Sequence, residues 1–390
     1  MLSSVLREGG PLLGNLKRSM KLERLHIPKP RRGEVLLKTT SCGVCHTDLH
    51  VIQKEVPFPM PAVMGHEVCG ELVDFGPSVS EQERIRLTSG GATHFVAPFI
   101  MPCGECHQCV EGQEDICDTF FAMNRVKGTL YDGETRYFTE ASNEPIAMYS
   151  MGGLSQYTVV PVSSVFPLPP VSFPPHQAAI LGCAIFTAYG AIKNAADLQV
   201  GQSVCVIGAA GGVGSNILQI ARAYQCYPRI AVDVNDEKLA ACRDVFGATH
   251  TINSRSFSSA DEVRDAIRGV TDYGRGLDVS FEAIGKPATF ELAINIVKDG
   301  GKAVMVGIAD VKDKASVPIT HVVRRKIMVH GSYGAKTRKD MPEILKLLAN
   351  GSLEVSRFIS REYTLEQSEE AYADLADGKI QGRAVVRMDG

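Results

Sequence analysis

The chain of 390 residues has no tryptophan, and it has no apolar run fit to cross a membrane as a helix. Its longest segment without Asp, Glu, Lys or Arg, Pro145 to Ile192, carries Pro161, Pro167, Pro169, Pro170, Pro174 and Pro175, which interrupt the backbone ladder that such a helix needs. Net charge is also scarce. The 41 Lys and Arg nearly balance the 44 Asp and Glu, leaving −3 with no basic run, so a nucleic acid is not an expected partner. The opening residues, with Arg7 and Glu8, lack an apolar signal core. The expectation is a cytoplasmic protein, or an organellar one if a transit segment has been removed. Internal repeats and low-complexity segments are missing too. What remains is an ordinary globular composition, 44% hydrophobic and 22% charged, long enough for two or three domains by a prior of ~150 residues each.

Without a signal core, the 11 cysteines argue for reduced thiols, some of them metal-bound, rather than for a disulfide framework. The segment Ser41-Cys42-Gly43-Val44-Cys45-His46-Thr47-Asp48-Leu49-His50 crowds thiols, imidazoles, a hydroxyl and a carboxylate into a few residues. Thiolates and imidazoles hold zinc, and a nearby carboxylate orients a ligating imidazole, so Cys45 is a candidate first ligand of a catalytic zinc. His66, set between Gly65 and Gly70 in an alternating strand pattern, is its first candidate partner. Further on, Cys103, Cys106, Cys109 and Cys117 are separated by two, two and seven residues. Four thiolates so spaced complete a tetrahedron with no open position, the mark of a structural zinc; an iron–sulfur cluster uses a similar arrangement. His107, inside that loop, reads as a solvated residue.

Secondary-structure signals divide the chain. Up to about residue 110 short β-branched runs such as Glu34 to Thr40 alternate with Pro and Gly turns, and Asp118 to Ser150 reads as a polar loop or hairpin insertion. Gln177 to Asn194 reads as one helix, with Cys183 either core or chemistry. From Ser203 onward strands and helices alternate, which predicts six parallel strands. The first runs into Gly208-Ala209-Ala210-Gly211-Gly212-Val213-Gly214 and a helix; the second, Arg229 to Asp233, ends in an acid. In that context the glycines let the backbone approach a pyrophosphate at a helix N-terminus, and Asp233 accepts ribose hydroxyls. The loop departs from the strict G-x-G-x-x-G by Ala at 209. A carboxylate there repels a 2′-phosphate, so NAD is expected over NADP; Lys238 reaches the same ribose or is simply an exposed helix lysine. The tail predicts helices over Glu343 to Asn350 and Leu365 to Asp377 and a last strand at Arg383 to Val386.

Taken together, Gly43-Val44-Cys45-His46-Thr47-Asp48, Gly65-His66-Glu67, the four-cysteine loop, Gly182-Cys183, the glycine loop with Asp233 and the closing Gly382-Arg383 resemble the zinc-containing alcohol dehydrogenases of the medium-chain dehydrogenase/reductase superfamily. Lys127 to Gly133 and Met148 to Gly153 look like a plant-type branch of its GroES-like zinc dehydrogenases. The resemblance implies an α/β protein in which a discontinuous GroES-like β-rich catalytic domain, residues 1–184 and 334–390, encloses a Rossmann doubly wound parallel sheet over 185–333. It implies two zinc ions per chain: a catalytic one on Cys45, His66 and Cys183, and a structural one on Cys103, Cys106, Cys109 and Cys117. Glu67 would approach the metal during ligand exchange, and Asp48 would fix the tautomer of His66.

The implied reaction moves a hydride between a primary alcohol or aldehyde and NAD, from a zinc-bound alkoxide. Thr47 passes the proton through the nicotinamide ribose to His50, and a histidine exchanges protons with water near neutrality. His46, where many relatives place an arginine, would touch the pyrophosphate, making coenzyme affinity depend on pH; Arg383, Val306 and Ile308 are further coenzyme positions. Pocket positions are Phe99, Met148, Tyr149, Ile308 and Tyr333, which suit a medium-length or aromatic alcohol or aldehyde. Phe121 stands where glutathione-dependent formaldehyde dehydrogenases carry an arginine, which disfavours S-hydroxymethylglutathione. The long insertion resembles that of dimeric relatives, so a homodimer is expected. The alternatives are an NADPH-dependent reductase of a specialised aldehyde or iminium, and a binding or structural protein on the same fold.

Overall fold

The β-branched run from Glu34 to Gly43 becomes the central strand of a seven-stranded sheet, buried along most of its length. The structure, a computed structural model, describes residues 1–10 and 19–388; residues 11–18, within the opening expected to be β-rich, lie outside it. The central strand pairs antiparallel with Val68–Phe75, with Tyr157–Pro161 and with the closing strand Arg383–Arg387. Register decides what sits at its end. Cys42 lies opposite both Val68 and Val386, so the residues just after the central strand and just before Val68 emerge side by side.

A five-stranded sheet stands beside it in sequence, in the order Met20–Arg24, Leu2–Leu6, Ala62–Val63, Pro145–Met148 and Tyr137–Phe138. The expected insertion is therefore partly ordered as strand: Tyr137 pairs with Ile146 in an antiparallel hairpin. It also contains a π-helical turn, Phe120–Arg125, that no apolar period foretells.

The third sheet is all parallel and six-stranded: His250–Asn253, Arg229–Asp233, Val204–Ile207, Leu277–Glu282, Val297–Met305 and Met328–Gly331. Numbered by sequence within this unit the order is 3-2-1-4-5-6, the doubly wound arrangement whose switch point lies at the carboxyl end of the first strand. Cys205, Ile207, Ile230 and Val232 pack with Val263, Ile267, Ile294 and Val297 into its core. Two compact units result: Met1–Phe186 with Lys336 to the C-terminus, and Thr187–Ala335. Their borders fall two residues beyond the expected ones.

Two helices differ from expectation. The stretch expected as one helix from Gln177 to Asn194 breaks into a 3-10 segment, Pro175–Gly182, an α-helix, Ala184–Gly190, and a π-helical turn, Ala191–Ala195. Cys183 sits at the first break with φ −141° and ψ −59°. Likewise the helix expected to start at Glu343, after Pro342, runs from Thr337 to Ala349 with the proline inside. Its start is tied down by Thr337 Oγ1, which donates to the Ile100 carbonyl at 2.7 Å, and by Asp340 Oδ2, which accepts the Lys336 N–H at 2.8 Å. These ties outweigh the proline's missing donor. Among the described residues no single helix is long and apolar enough to cross a membrane.

Candidate active site and metal centres

Antiparallel register gathers four donors from three distant segments. Cys45 follows the central strand, His66 and Glu67 precede Val68, and the carbonyl of Gly182, next to Cys183, accepts the N–H of Phe99, two residues past the strand Phe95–Ala97. One ligand atom each from Cys45, His66, Glu67 and Cys183 lies within 4.8 Å of the others, and all four residues are buried. Cys42, on the same strand, is outside this group; its sulfur packs where any side chain on Gly65 would sit.

The donor set is unbalanced without a cation. Hydrogen bonding to Cys183, then the charges of Arg383 and His66, hold the Cys45 thiol well below its usual range, while Cys183 is driven well above it. The two sulfurs thus share a proton that a metal would displace. His66 Nδ1 lies 3.0 Å from Asp48 Oδ2, both fully buried, which leaves the lone pair on Nε2. That nitrogen is itself buried and has no hydrogen-bond partner among the described residues. Asp48 is anchored in turn, its Oδ1 accepting the Gly65 N–H at 3.0 Å. Two thiols and an imidazole nitrogen aimed at one point fit zinc with a fourth position open.

Glu67 is the fourth member. Burial pushes its carboxyl up to about 8 against the pull of Arg383, whose Nη2 is 3.1 Å from Oε1. Arg383 Nη1 donates to the Val44 carbonyl at 3.0 Å. The position expected to touch a pyrophosphate therefore holds, within this unit, the acid beside the donors. Sequence reasoning had given Glu67 and Arg383 separate roles, because 316 residues apart nothing local links them. Gly43 makes room for the pair: a Cβ there would lie 2.3 Å from Glu67 Oε2.

The helix His46–Ile52 carries the other candidates. His46 is exposed at its start. Thr47 is half-buried, its Oγ1 3.6 Å from Cys45 Sγ. His50 follows three residues on, half-exposed, with Nδ1 hydrogen-bonded to the Glu55 carboxylate.

Cys103, Cys106, Cys109 and Cys117 form the second group, again with ligand atoms within 4.8 Å. Backbone N–H groups point at its sulfurs: those of Cys106 and Glu105 at Cys103, at 3.3 and 3.5 Å, and those of Cys103 and Phe120 at Cys117, at 3.3 and 3.4 Å. Such donors stabilise thiolates, and four of them close a tetrahedron. His107 is exposed and outside the group. None of the 11 cysteines is in a disulfide.

In the nucleotide unit the glycine loop opens the helix Gly212–Ala223, with Gly211 as its N-cap. Gly208 has φ +79°, and a Cβ on Gly214 would lie 2.2 Å from the Gly208 carbonyl oxygen, so helix and strand meet as closely as backbones allow. Val213 is half-buried between them in sequence. Asp233 ends its strand with Oδ2 accepting the Ala210 N–H at 3.1 Å and Oδ1 accepting the Val234 N–H at 2.8 Å. Lys238 is half-buried, its backbone N–H capped by Asn235. Val306 donates its N–H to the Glu282 carbonyl at 2.8 Å, and Ile308, just beyond, is 41% exposed.

Two expected pocket residues stand beside a donor. The rings of Phe99 and Tyr149 meet the His66 imidazole edge-on, at 5.7 and 6.0 Å between centroids. Met148 does not line a cavity: it is fully buried, and its sulfur accepts the Arg136 N–H at 3.3 Å, because its strand turns that side chain into the small sheet. Ile308 and Tyr333 belong to the nucleotide unit.

A closed four-thiolate lobe, a three-donor centre with a free position and a doubly wound sheet bearing a glycine loop define a zinc-dependent dehydrogenase. Comparison with known proteins agrees. The alcohol dehydrogenase GroES-like domain profile matches residues 31–170, and the zinc-binding dehydrogenase profile matches residues 212–350. The chain is similar to S-(hydroxymethyl)glutathione dehydrogenase of Photobacterium damsela subsp. piscicida, 29% identical over 364 residues, 92% of this chain and 94% of the relative. It is also similar to the crystal structure of an alcohol dehydrogenase zinc-binding domain protein from Burkholderia ambifaria, with a TM-score of 0.87, 29% identity and coverage of 100% and 99% of the two chains. Benzyl alcohol dehydrogenase from Acinetobacter calcoaceticus superposes with a TM-score of 0.84 at 25% identity, covering 99% of each. The chain belongs to the zinc-containing alcohol dehydrogenases of the medium-chain dehydrogenase/reductase superfamily, and it is an oxidoreductase of that type.

Proposed function

We propose that the chain interconverts a primary alcohol and its aldehyde with NAD, at a zinc held by Cys45, His66 and Cys183. The observation that carries this reading is the buried three-donor centre whose neighbouring acid, Glu67, is engaged by Arg383, so that a fourth metal position is left for substrate. Zinc there would lower the pKa of an alcohol hydroxyl, and NAD would take up the hydride.

The chain's own residues do the rest. Asp48 holds the tautomer and direction of His66, and Arg383 keeps the Glu67 carboxylate off the sulfurs. Thr47, beside Cys45, accepts the alcohol proton and hands it through the nicotinamide ribose to His50, where the Glu55 carboxylate and solvent receive it. His46 meets the pyrophosphate at the helix start. Gly208, Gly211, Gly212, Val213 and Gly214 leave backbone N–H groups for the phosphates. Asp233 has lone pairs remaining for two ribose hydroxyls and would repel a 2′-phosphate, which supports NAD, with Lys238 at the same ribose. Val306 and Ile308 complete the coenzyme contacts, and Ile308 and Tyr333 the pocket.

The half-buried Phe121 supports a small alcohol over a glutathione adduct. A second structural zinc on the four-cysteine lobe, a homodimer and a cytoplasmic location complete the reading; exposed Ile319, Val323, Met328 and Val329 offer an apolar face for a second copy. The deciding experiment is a metal analysis paired with an absorbance screen of primary alcohols, aldehydes and S-hydroxymethylglutathione against NAD and NADP. Two zinc ions and NAD-linked oxidation of an apolar or aromatic alcohol are expected. One zinc or none, or turnover with NADPH only, would sink it.

A further inference from the structure

The aromatic wall beside His66 has a second side. Tyr149 and Phe99, which meet the His66 imidazole edge-on, also face the guanidinium of Arg125, whose central carbon stands 4.3 Å from the Tyr149 ring centroid and 5.5 Å from that of Phe99. Phe120 closes a third side at 5.2 Å. All three guanidinium nitrogens are shielded from solvent. The wall is rigid: Phe58 meets Tyr149 edge-on at 4.9 Å, Phe186 meets Phe99 at 5.9 Å, and Ser150 Oγ donates to the Phe99 carbonyl at 2.6 Å. The cation is set into it by the π-helical turn Phe120–Arg125, which carries both Phe120 and Arg125.

Chemically, this is a cation placed one ring beyond a candidate metal ligand. Aromatic rings cover the faces of a guanidinium through cation–π attraction, and its N–H fork presents in-plane donors that match a carboxylate two by two. Inside an apolar, ring-lined wall such a charge acts through a low dielectric and is screened far less than on the surface. The rings also select the body of a ligand between the two ends, favouring a flat apolar one.

We propose that Arg125 is a specificity residue, selecting alcohols and aldehydes whose far end carries a carboxylate across a flat, apolar body, with aryl carboxylates such as 4-(hydroxymethyl)benzoate as the model class. This rests on the reading of Phe99 and Tyr149 as the substrate wall, and it deepens the proposed function rather than replacing it. The rings keep the reacting carbon toward His66 and the anion toward Arg125.

The test is a binding comparison that needs no turnover. 4-Carbamoylbenzoate and 4-methylbenzamide share an amide end and differ only in the charge at the other, and their dissociation constants on the zinc-loaded protein are read by calorimetry. Wild type should hold the carboxylate at least about tenfold more tightly, the scale of one charge-assisted contact. Arg125→Met should bring the two probes within about twofold, and Arg125→Lys, which keeps a cation, should retain part of the preference. Equal binding of the probes by wild type overturns the proposal, as does a full preference surviving in Arg125→Met. Because Arg125→Met removes stacking from three rings, its melting temperature and zinc content are measured alongside; if it does not fold, the wild-type ratio and Arg125→Lys decide. Benzyl alcohol oxidation with NAD reads the proposed function separately, so its failure is told apart from failure of the carboxylate site.

Discussion

The two cysteine-rich centres are built on opposite plans. The lobe from Cys103 to Cys117 draws all its donors from one short loop, half-exposed at Cys103 and Cys106, and its sulfurs are met by backbone N–H groups of the same loop. The centre at Cys45, His66 and Cys183 draws donors from three separate segments, is wholly buried, and is supported from further away by Asp48 and Arg383. A local loop closes itself around an ion and has nothing left to offer a substrate. A centre assembled by sheet register can hold an ion with three donors and leave the fourth side open, at the cost of depending on every strand that delivers a ligand.

Variants can break that comparison from either side, and the largest effect is expected in the local lobe. Cys106→Ser removes one of four closed donors; calorimetric scanning should show melting lowered by several degrees, since structural zinc sites contribute folding free energy directly. The lobe also ties to the helix Thr337–Ala349, because Glu114 accepts the backbone N–H and the Nε–H of Arg338, both at 2.6 Å, so the loss should spread beyond the loop. Metal analysis should then find the other centre still loaded. If Cys106→Ser melts like wild type, the lobe is not structural.

Cys45→Ser reverses the pattern. Turnover should fall by more than about 100-fold, beyond what losing a supporting residue costs, with melting little changed and one zinc remaining. Turnover close to wild type would remove Cys45 from the ligand set.

Next in size is Asp48→Asn, which keeps the shape but weakens the hold on His66. A fall of about 10- to 100-fold in activity or zinc affinity is expected. An effect confined to melting would make Asp48 a packing residue only.

The smallest change concerns the coenzyme. Asp233→Ala should narrow the ratio of kcat/KM for NAD over NADP by about tenfold, the worth of one removed repulsion or hydrogen bond. An unchanged ratio would mean that another group reads the ribose.

Legibility follows the same division. Four cysteines at short spacing carry their own geometry, so that lobe could be read directly, as could the glycine loop ending at Asp233, where strand, turn and helix are contiguous. Cys183 was different: before any resemblance was invoked, a cysteine in an apolar helical stretch looked like core. Only the structure shows the break at 183 that points it toward His66. Met148 went the other way, from expected pocket to core, because strand alternation depends on where pairing begins.

Arg125 marks the far limit of reading by pattern. It lies in a polar insertion with no period, and its meaning comes from three rings contributed by residues 99, 120 and 149. Likewise the Glu67–Arg383 pair joins residues from near the two ends of the chain through the pairing of Arg383–Arg387 with the central strand.

By itself the sequence determined the class of chemistry and the doubly wound nucleotide fold, because thiol spacing, glycine loops and β–α alternation act over a few residues and are written locally. Tertiary structure alone decided which thiol joins which imidazole, which acid is held by Arg383 and which rings enclose Arg125. Those partners are fixed by strand register and packing between distant segments, where free energy depends on three-dimensional contact and not on spacing along the chain.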